Sequence, residues 1–486
     1  SVMEFFLINH PLDCPICDEA GEFILQDYAY QHSNGESRFV EEKTNKDKRV
    51  ELGPKVMFDG DRCISCSRCI RFCDEVAKDA ELTFVKRGDR VTITTFPGEQ
   101  LDNPYAMNVV DICPVGALTN RDFRFKARVW DMAHTNTICN GCARGCNIEV
   151  WTRNNEVLRL VPRHNEDVNS YWMCDHGRLN TFKFINAGDR VDGPHMRVEG
   201  NLIKVGWDEA FAKAASNLKA FGKDEIAFLG SAYATVEDNY LAAKFAKSVL
   251  GTGNLDFVRH IDPAFGDEIL RNEDVTPNSK GAELAGVAPS KNGLDYNGII
   301  KSIREGRIKA LYILEDDILN DNPELENVLA KLDLLIINAS NFNKTTALAD
   351  LVFPAATYAE KNGTFVNFAG RVQRIRPAIA TNDVDRALEG MSMSRLDKFG
   401  TKYDRWAEKN KRDAKATWKI LTSLSAFFNN KLKYNLAEDV FDEISKNVKA
   451  FSKLDYDMIG EKGILLENIN KEFNPVSFSF TFCKER

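Results

Sequence analysis

Short, unbroken apolar runs recur through the middle of the chain: "DEIAFLGS" (224–231), "IKALYILE" (308–315), "LDLLIINAS" (332–340) and "LADLVFPAA" (348–356). Each quoted stretch is eight or nine residues long and rich in branched side chains, the pattern of a strand buried on both faces of a parallel sheet. Helical patterns lie between them, as in "VEDNYLAAKFAKSVL" (236–250) and "NPELENVLAKL" (322–332). In the second, Asn322 is placed to cap the helix ahead of Pro323. Strand and helix in alternation predict a doubly wound α/β domain. From about 386 the texture becomes helix-rich and charged, as in "RWAEKNKRDAKATWKILTSLSAFF" (405–428). The first 185 residues show no such alternation. They open on "SVMEFFLINH", which reads as a helix already under way, so the N-terminus is expected to be cut and preceded by more chain. A polar stretch, "QHSNGESRFVEEKTNKDKRVELGPK" (31–55), follows as a loop or linker.

At 486 residues the chain exceeds one compact core, so two to four domains are expected. A net charge of −8, with no basic stripe interleaved with aromatics, argues against a nucleic-acid binder. No apolar run approaches the roughly 20 residues of a spanning helix, so a membrane would be reached only through a partner. No charged start and cleavage site marks a signal peptide. "GTGN" (251–254) lacks the full dinucleotide fingerprint, and no GxxxxGK loop exists, so NADH binding by this chain is not expected.

Cysteine changes the picture most. The chain has 12, of which all but Cys483 lie between Cys14 and Cys174. Tight CxxC spacings in a large chain of this composition point to metal rather than disulfides. The first group is His10-x3-Cys14-x2-Cys17, at the spacing that wraps one face of an iron–sulfur cube. The second is Cys63-x2-Cys66-x2-Cys69-x3-Cys73, with Cys113 followed by Pro114 in "DICPVGAL". In two-cluster ferredoxins the run is C-x2-C-x2-C-x3-C-P, and each last cysteine ligates the other cluster. That rule assigns Cys63, Cys66, Cys69 and Cys113 to one 4Fe-4S cluster. The second triplet would fall at 103, 106 and 109, where Asn103, Ala106 and Val109 stand. Cys73 is therefore read as a small buried hydrophobe. The third group, Cys139-x2-Cys142-x3-Cys146-x27-Cys174, again sets three ligands on one loop and one remote. Structural zinc is the competing reading for both four-cysteine groups.

The third group resembles the iron–sulfur segment that opens molybdopterin oxidoreductases, with His176 where those enzymes usually carry a lysine. The whole order of motifs resembles the large iron–sulfur subunit of respiratory complex I, the NADH:quinone oxidoreductase. "VMEFFLINHPLDCPICD", "RCIRFCDEV", "DICPVGALT" and "YWMCDHGRLN" carry the resemblance early, and "DLVFPAATYAEKNGTFVNFAGRVQR" (350–374) carries it in the α/β domain. It implies a division into 1–30 (His/Cys segment), 56–125 (ferredoxin-like 4Fe-4S domain), 130–185 (molybdopterin-oxidoreductase-type 4Fe-4S domain), 186–385 (α/β) and 386–486 (helix-rich). It implies an electron relay without a substrate site of its own. Its partners would be a flavin-containing NADH-oxidising subunit, a ferredoxin-like two-cluster subunit and other peripheral-arm subunits, on the cytoplasmic side of a bacterial inner membrane. Electrons would enter through a two-iron cluster in a domain before Ser1. They would then pass to the Cys63 group and on to the His10 group, with the Cys139 group off that path.

The family's fourth ligand at the His10 cluster is a cysteine at the position of Phe23, in "AGEF". A three-iron form, a substitute carboxylate from Asp18, Glu22 or Asp27, loss of the cluster, or a sequence error each accounts for the change. Two 4Fe-4S clusters are thus expected, and a third only if three ligands suffice. The alternative function is a molybdopterin-dependent, formate-dehydrogenase-like catalytic subunit. No cysteine occurs between 175 and 482 to ligate molybdenum, and Ile261 falls near the ligand position, so no molybdenum is expected. A third view makes the clusters redox-inactive staples. Arg371 and Arg374 are read as surface or interface cations, Cys483 as an inert strand end, and His134, His164 and His195 stay unassigned.

Overall fold

The computed structural model describes residues 2–399 and 410–466. All four apolar runs form strands: Ile226–Gly230, Ala310–Leu314, Leu334–Ala339 and Leu351–Pro354. They pair in parallel, with Leu255–Phe257 joining at one edge beside Ile226–Gly230. At the other edge an antiparallel hairpin, His195–Val198 with Asn201–Lys204, completes seven strands. Alternate residues of each strand enter two separate cores. Phe228, Tyr312, Ile336 and Phe353 face one, while Leu229, Ile313, Ile337 and Val352 face the other. Helix Trp207–Leu218 covers the first face and Tyr296–Arg304 the second, giving the doubly wound α/β architecture.

Helices Thr417–Ser425 and Ala437–Asn447 pack Leu421, Leu424, Phe441 and Ile444 into the same core as the first sheet face. The start of the expected run at 405–428 and Cys483 lie outside the described residues.

Two helices differ from the sequence reading. Asn322 makes no side-chain cap. The segment behind it is a single 3-10 turn, Pro323–Leu325, followed by a short helix, Glu326–Leu329. Val236–Lys244 is capped by Thr235, whose hydroxyl accepts from Asp238 N–H, and then widens into a π-helical stretch, Phe245–Leu250. Gly251, at φ +74°, ends it in a conformation that costs a glycine little.

The N-terminal part is assembled from small sheets and loops. Helix Val2–Leu7 bears out the opening pattern, and residues 33–49 carry no regular element. Val50–Glu51, Val56–Phe58 and Leu118–Asn120 form a three-stranded antiparallel sheet. A second sheet of Met391–Ser392, Ala133–Ile138, Asn147–Arg153 and Glu156–Pro162 carries the third cysteine group at one end. These pieces share one core with residues of the α/β part, including Tyr358, Phe365 and Ile375. Among the described residues no helix is long and apolar enough to cross a membrane.

Candidate metal centres

The structure brings Cys63, Cys66, Cys69 and Cys113 together around one cavity. The triplet winds tightly because Ser65 and Ser67 adopt left-handed backbone angles, at φ +54° and +63°. Those residues rarely take that region, so the loop carries strain, as ligand loops often do. Helix Asn108–Ile112 then delivers Cys113 from the opposite side. Phe58, Ile64, Ile93, Val115 and Leu118 line the remaining wall. Cys66 is exposed and Cys69 buried. Burial pushes the Cys69 thiol up to about 12 and that of Cys113 to about 11. Cys73 does not line this cavity. It is 0% exposed and packs in the core with Ala106 and Val109, as expected of a small hydrophobe.

Cys139, Cys142, Cys146 and Cys174 border a second cavity, and all four are buried. Gly145, the extra residue in the second gap, sits at φ +67°, and a Cβ there would lie 2.5 Å from Gln373 Oε1. Both facts demand glycine. Gln373 in turn donates to Gly145 O at 3.0 Å. Cys174 caps helix Asp175–Leu179: its sulfur accepts from Gly177 N–H at 3.3 Å, as Cys139 Sγ does from Gly141 N–H at 3.4 Å. Burial holds all four thiols above their usual range, with Cys174 pushed up to about 12. Iron would have to displace those protons, which links metal binding to the folded cavity.

Each cavity offers four thiols as a donor set. Tetrahedral zinc draws sulfurs to about 2.3 Å from one point. Among the described residues no three His, Cys, Asp or Glu converge in that way. Three thiols on one loop with a fourth from a remote segment is the donor arrangement of a 4Fe-4S cluster.

The His10 motif is built differently. A 3-10 turn, Cys14–Ile16, presents the cysteines, and Arg128 gathers its carbonyls, donating to Cys17 O at 2.6 Å, Cys14 O at 3.4 Å and Pro15 O. Buried Arg62 ties the same turn to its neighbour, donating to Asp13 Oδ2 at 3.0 Å and Gly116 O at 3.1 Å. His10 Nδ1 is buried without a hydrogen-bond partner. Phe23 is 5% exposed, its ring centroid 5.6 Å from that of His10. Of the substitute carboxylates, Asp18 accepts from Phe125 N–H, Glu22 pairs with Arg159, and Asp27 is exposed. A Cβ on Gly116 would lie 2.2 Å from Cys17 Sγ. The turn that follows Cys113 therefore backs directly onto the His10 motif.

The crevice at the carboxyl ends of the parallel strands, where such sheets bind ligands, is occupied by side chains that pair among themselves. Lys361 Nζ sits 2.7 Å from both Asp238 and Glu315, all buried or nearly so. His260 bridges Asp316 at 3.0 Å and Asp321 at 2.5 Å. Burial opposes its charge, but the two carboxylates win and raise it to about 9. Ile261 is 52% exposed, and no thiol occurs in the sequence from 175 to 482, so the residues here do not fit a cysteine-ligated molybdenum centre.

Sequence patterning missed these ion pairs, and it misplaced one cation. Arg374 is 5% exposed rather than superficial: its guanidinium lies 3.4 Å from the Tyr456 ring centroid, and Tyr456 donates to buried Glu237. A buried cation needs such partners, and these come from distant segments. Arg371 pairs with Asp167 at 2.8 Å. The three unassigned histidines have ordinary roles: His134 packs on Trp151, His164 stacks on Tyr171 beside Glu166, and His195 bonds Gly193 O.

Family models match successive segments of the chain. The NADH-ubiquinone oxidoreductase-G iron-sulfur binding region matches residues 1–38. The ferredoxin-like domain of NADH-quinone oxidoreductase subunit 3 matches 53–119. The NADH-ubiquinone oxidoreductase NDSU1/NuoG-like 4Fe-4S domain matches 133–181, and the molybdopterin oxidoreductase family matches 190–279 and 276–386. These matches support iron–sulfur clusters. A solved NAD+-reducing NiFe-hydrogenase in the H2-reduced state is 27% identical over 26% of this chain and 56% of its own. Its TM-score of 0.23 is too low to bear on the fold. The G-type subunit of NADH-quinone oxidoreductase from Rickettsia felis is 36% identical over 327 residues, 65% of this chain and 47% of that protein. Its counterpart from Rickettsia bellii is 39% identical over 51% of this chain and 36% of the relative. That of Streptomyces coelicolor is 35% identical over 60% and 34%. The chain thus spans about half or less of the length of the curated relatives it matches. Across its iron–sulfur-binding and molybdopterin-oxidoreductase segments, this chain is a homologue of the G-type subunit of NADH-quinone oxidoreductase.

Proposed function

We propose that the chain is an electron-relay subunit of an NADH:quinone oxidoreductase, standing between a flavin-bearing NADH-oxidising subunit and a ferredoxin-like subunit nearer the quinone. One observation carries this reading: two cavities, each bordered by four cysteines, three from a tight loop and one from a remote segment. Cys63, Cys66, Cys69 and Cys113 would hold one 4Fe-4S cluster, and Cys139, Cys142, Cys146 and Cys174 another. Bound iron–sulfur clusters supply reversible one-electron chemistry. The protein's part is to fix their places, exclude water and set the donors around sulfur.

Contact between the Gly116 turn and Cys17 supports passage from the Cys63 group to the His10 group, because a single turn serves both. At the His10 motif, Phe23 fills the corner beside His10 and two of the three candidate carboxylates are engaged elsewhere. We read this motif as a three-ligand site suited to a three-iron form. Attachment to a membrane is through partner subunits, on the cytoplasmic side of a bacterial inner membrane.

The test is anaerobic reconstitution followed by iron analysis and EPR. The relay reading expects reversible reduction of at least two cubane signals and about eight or more irons per chain. The family match over 190–386 favours a second reading, a molybdopterin-dependent dehydrogenase subunit. Stoichiometric molybdenum or tungsten in the native chain would establish it and overturn the relay.

A further inference from the structure

The ferredoxin-like unit has lost its second cysteine triplet, and the segment that would have carried it, 103–113, does not stand idle. Besides its four cysteines and two glycines, the wall of the second cavity consists of Met173 and Leu270. Both are held by residues of the emptied segment. Asn108, 0% exposed, spends its whole amide on this: Oδ1 accepts from Met173 N–H at 3.1 Å, while Nδ2 donates to Met173 O and Tyr105 O, each at 2.8 Å. Tyr105, 2% exposed, donates its hydroxyl to Asp267 at 2.7 Å and accepts from Leu270 N–H at 3.1 Å and Arg271 N–H at 3.3 Å. Two further bonds seal the seam: Met107 N–H donates to Asp175 Oδ1 at 2.9 Å, and Asp175 N–H to Pro104 O at 2.8 Å.

We propose that Tyr105 and Asn108 are positioning residues for the cluster held by Cys139, Cys142, Cys146 and Cys174, although they belong to the neighbouring ferredoxin-like unit. The segment ends at Cys113, which borders the first cavity, so one short helix leads to one site and, through Asn108, holds a wall residue of the other. Where a two-cluster ferredoxin would set cysteines, Ala106 and Val109 are 0% exposed core residues, and the neighbouring Tyr105 and Asn108 bond to two residues that line the adjacent cavity. Tyr105 acts on the loop that carries Leu270. Through Met173, Asn108 fixes the residue immediately before Cys174. Outer residues of this kind set the orientation of ligands and the access of water. The inference rests on the cluster reading given above.

Tyr105→Phe is the decisive variant, because it keeps the ring in the core and removes only the hydroxyl. In the full chain carrying reconstituted clusters, iron held by the Cys139 group should leave to a ferrous chelator roughly tenfold faster than in the parent, within the range such outer partners command. The EPR line shape of that cluster should change, while the signal of the Cys63 group stays as it was. Signals are assigned by Cys142→Ala and Cys66→Ala. An unchanged release rate and spectrum would overturn the inference, as would a change confined to the Cys63 group, which a purely local packing role for Tyr105 would give. If Cys142→Ala retains all the parent's iron, the cluster reading itself fails. If it loses a cluster while Tyr105→Phe behaves as parent, only the present inference fails.

Discussion

The two four-cysteine cavities are twins in their count of cysteines and opposites in exposure. Around the first, Cys66 is exposed and Cys63 and Cys113 are half-buried; around the second, every cysteine is buried. The first is walled by its own ferredoxin-like unit, the second by three separate stretches of chain. Exposure and sulfur-directed hydrogen bonds both tune a cluster's potential. The comparison therefore teaches that equal ligand sets need not make equal stations. The first site meets solvent at Cys66, while the second keeps all four of its cysteines buried.

The largest expected effect separates the two by rescue. Cys142→Ala should remove about four irons per chain, and an added small thiol should not restore them, since the vacant corner lies inside the protein. Cys66→Ala should also lose its cluster, but external thiol should rescue it, because that corner faces water. Iron and sulfide analysis reads both. Equal rescue at the two positions would break the contrast.

Next in size is lability in the unaltered chain. A chelator or oxygen should bleach the first site several-fold faster than the second, followed by the decay of their EPR signals.

Phe23→Cys extends the comparison to the His10 motif. It should raise iron by about one per chain by completing a fourth ligand. The metal-free chain should lose stability, since a buried aromatic is truncated. Unchanged iron would show that the corner is closed for reasons other than the missing thiol.

A smaller effect, at a residue that lines neither cavity, provides the control. His260 is raised from its ordinary 6.5 to about 9 by Asp316 and Asp321, against the opposing pull of burial. A raised histidine stabilises the fold fully below pH 6.5, and that contribution is lost as pH climbs through 9. His260→Gln should flatten this fall in Tm between pH 6.5 and 9, leaving both cluster signals intact.

Much of this was legible from spacing and periodicity, for physical reasons. Buried parallel strands must be apolar on both faces, so all four runs announced themselves. Three ligands on one cluster face must come from one short loop, so the triplets did too. The partners of Arg374, Lys361 and His260 were not legible, because Tyr456, Asp238 and Asp316 are brought to them only by the fold. The same holds for Tyr105 and Asn108, whose work is done on Leu270 and Met173. Asn322 shows the limit of local rules: its position before a proline suits a cap, yet its side chain makes none.

The central claim is that these thiols hold iron cubes for single-electron transfer, and iron with EPR on the anaerobically reconstituted full chain tests it most directly. About eleven irons, with two reducible cubane signals and one three-iron signal, is the result predicted. A colourless chain that binds no iron, or one zinc per four-cysteine group, would contradict it.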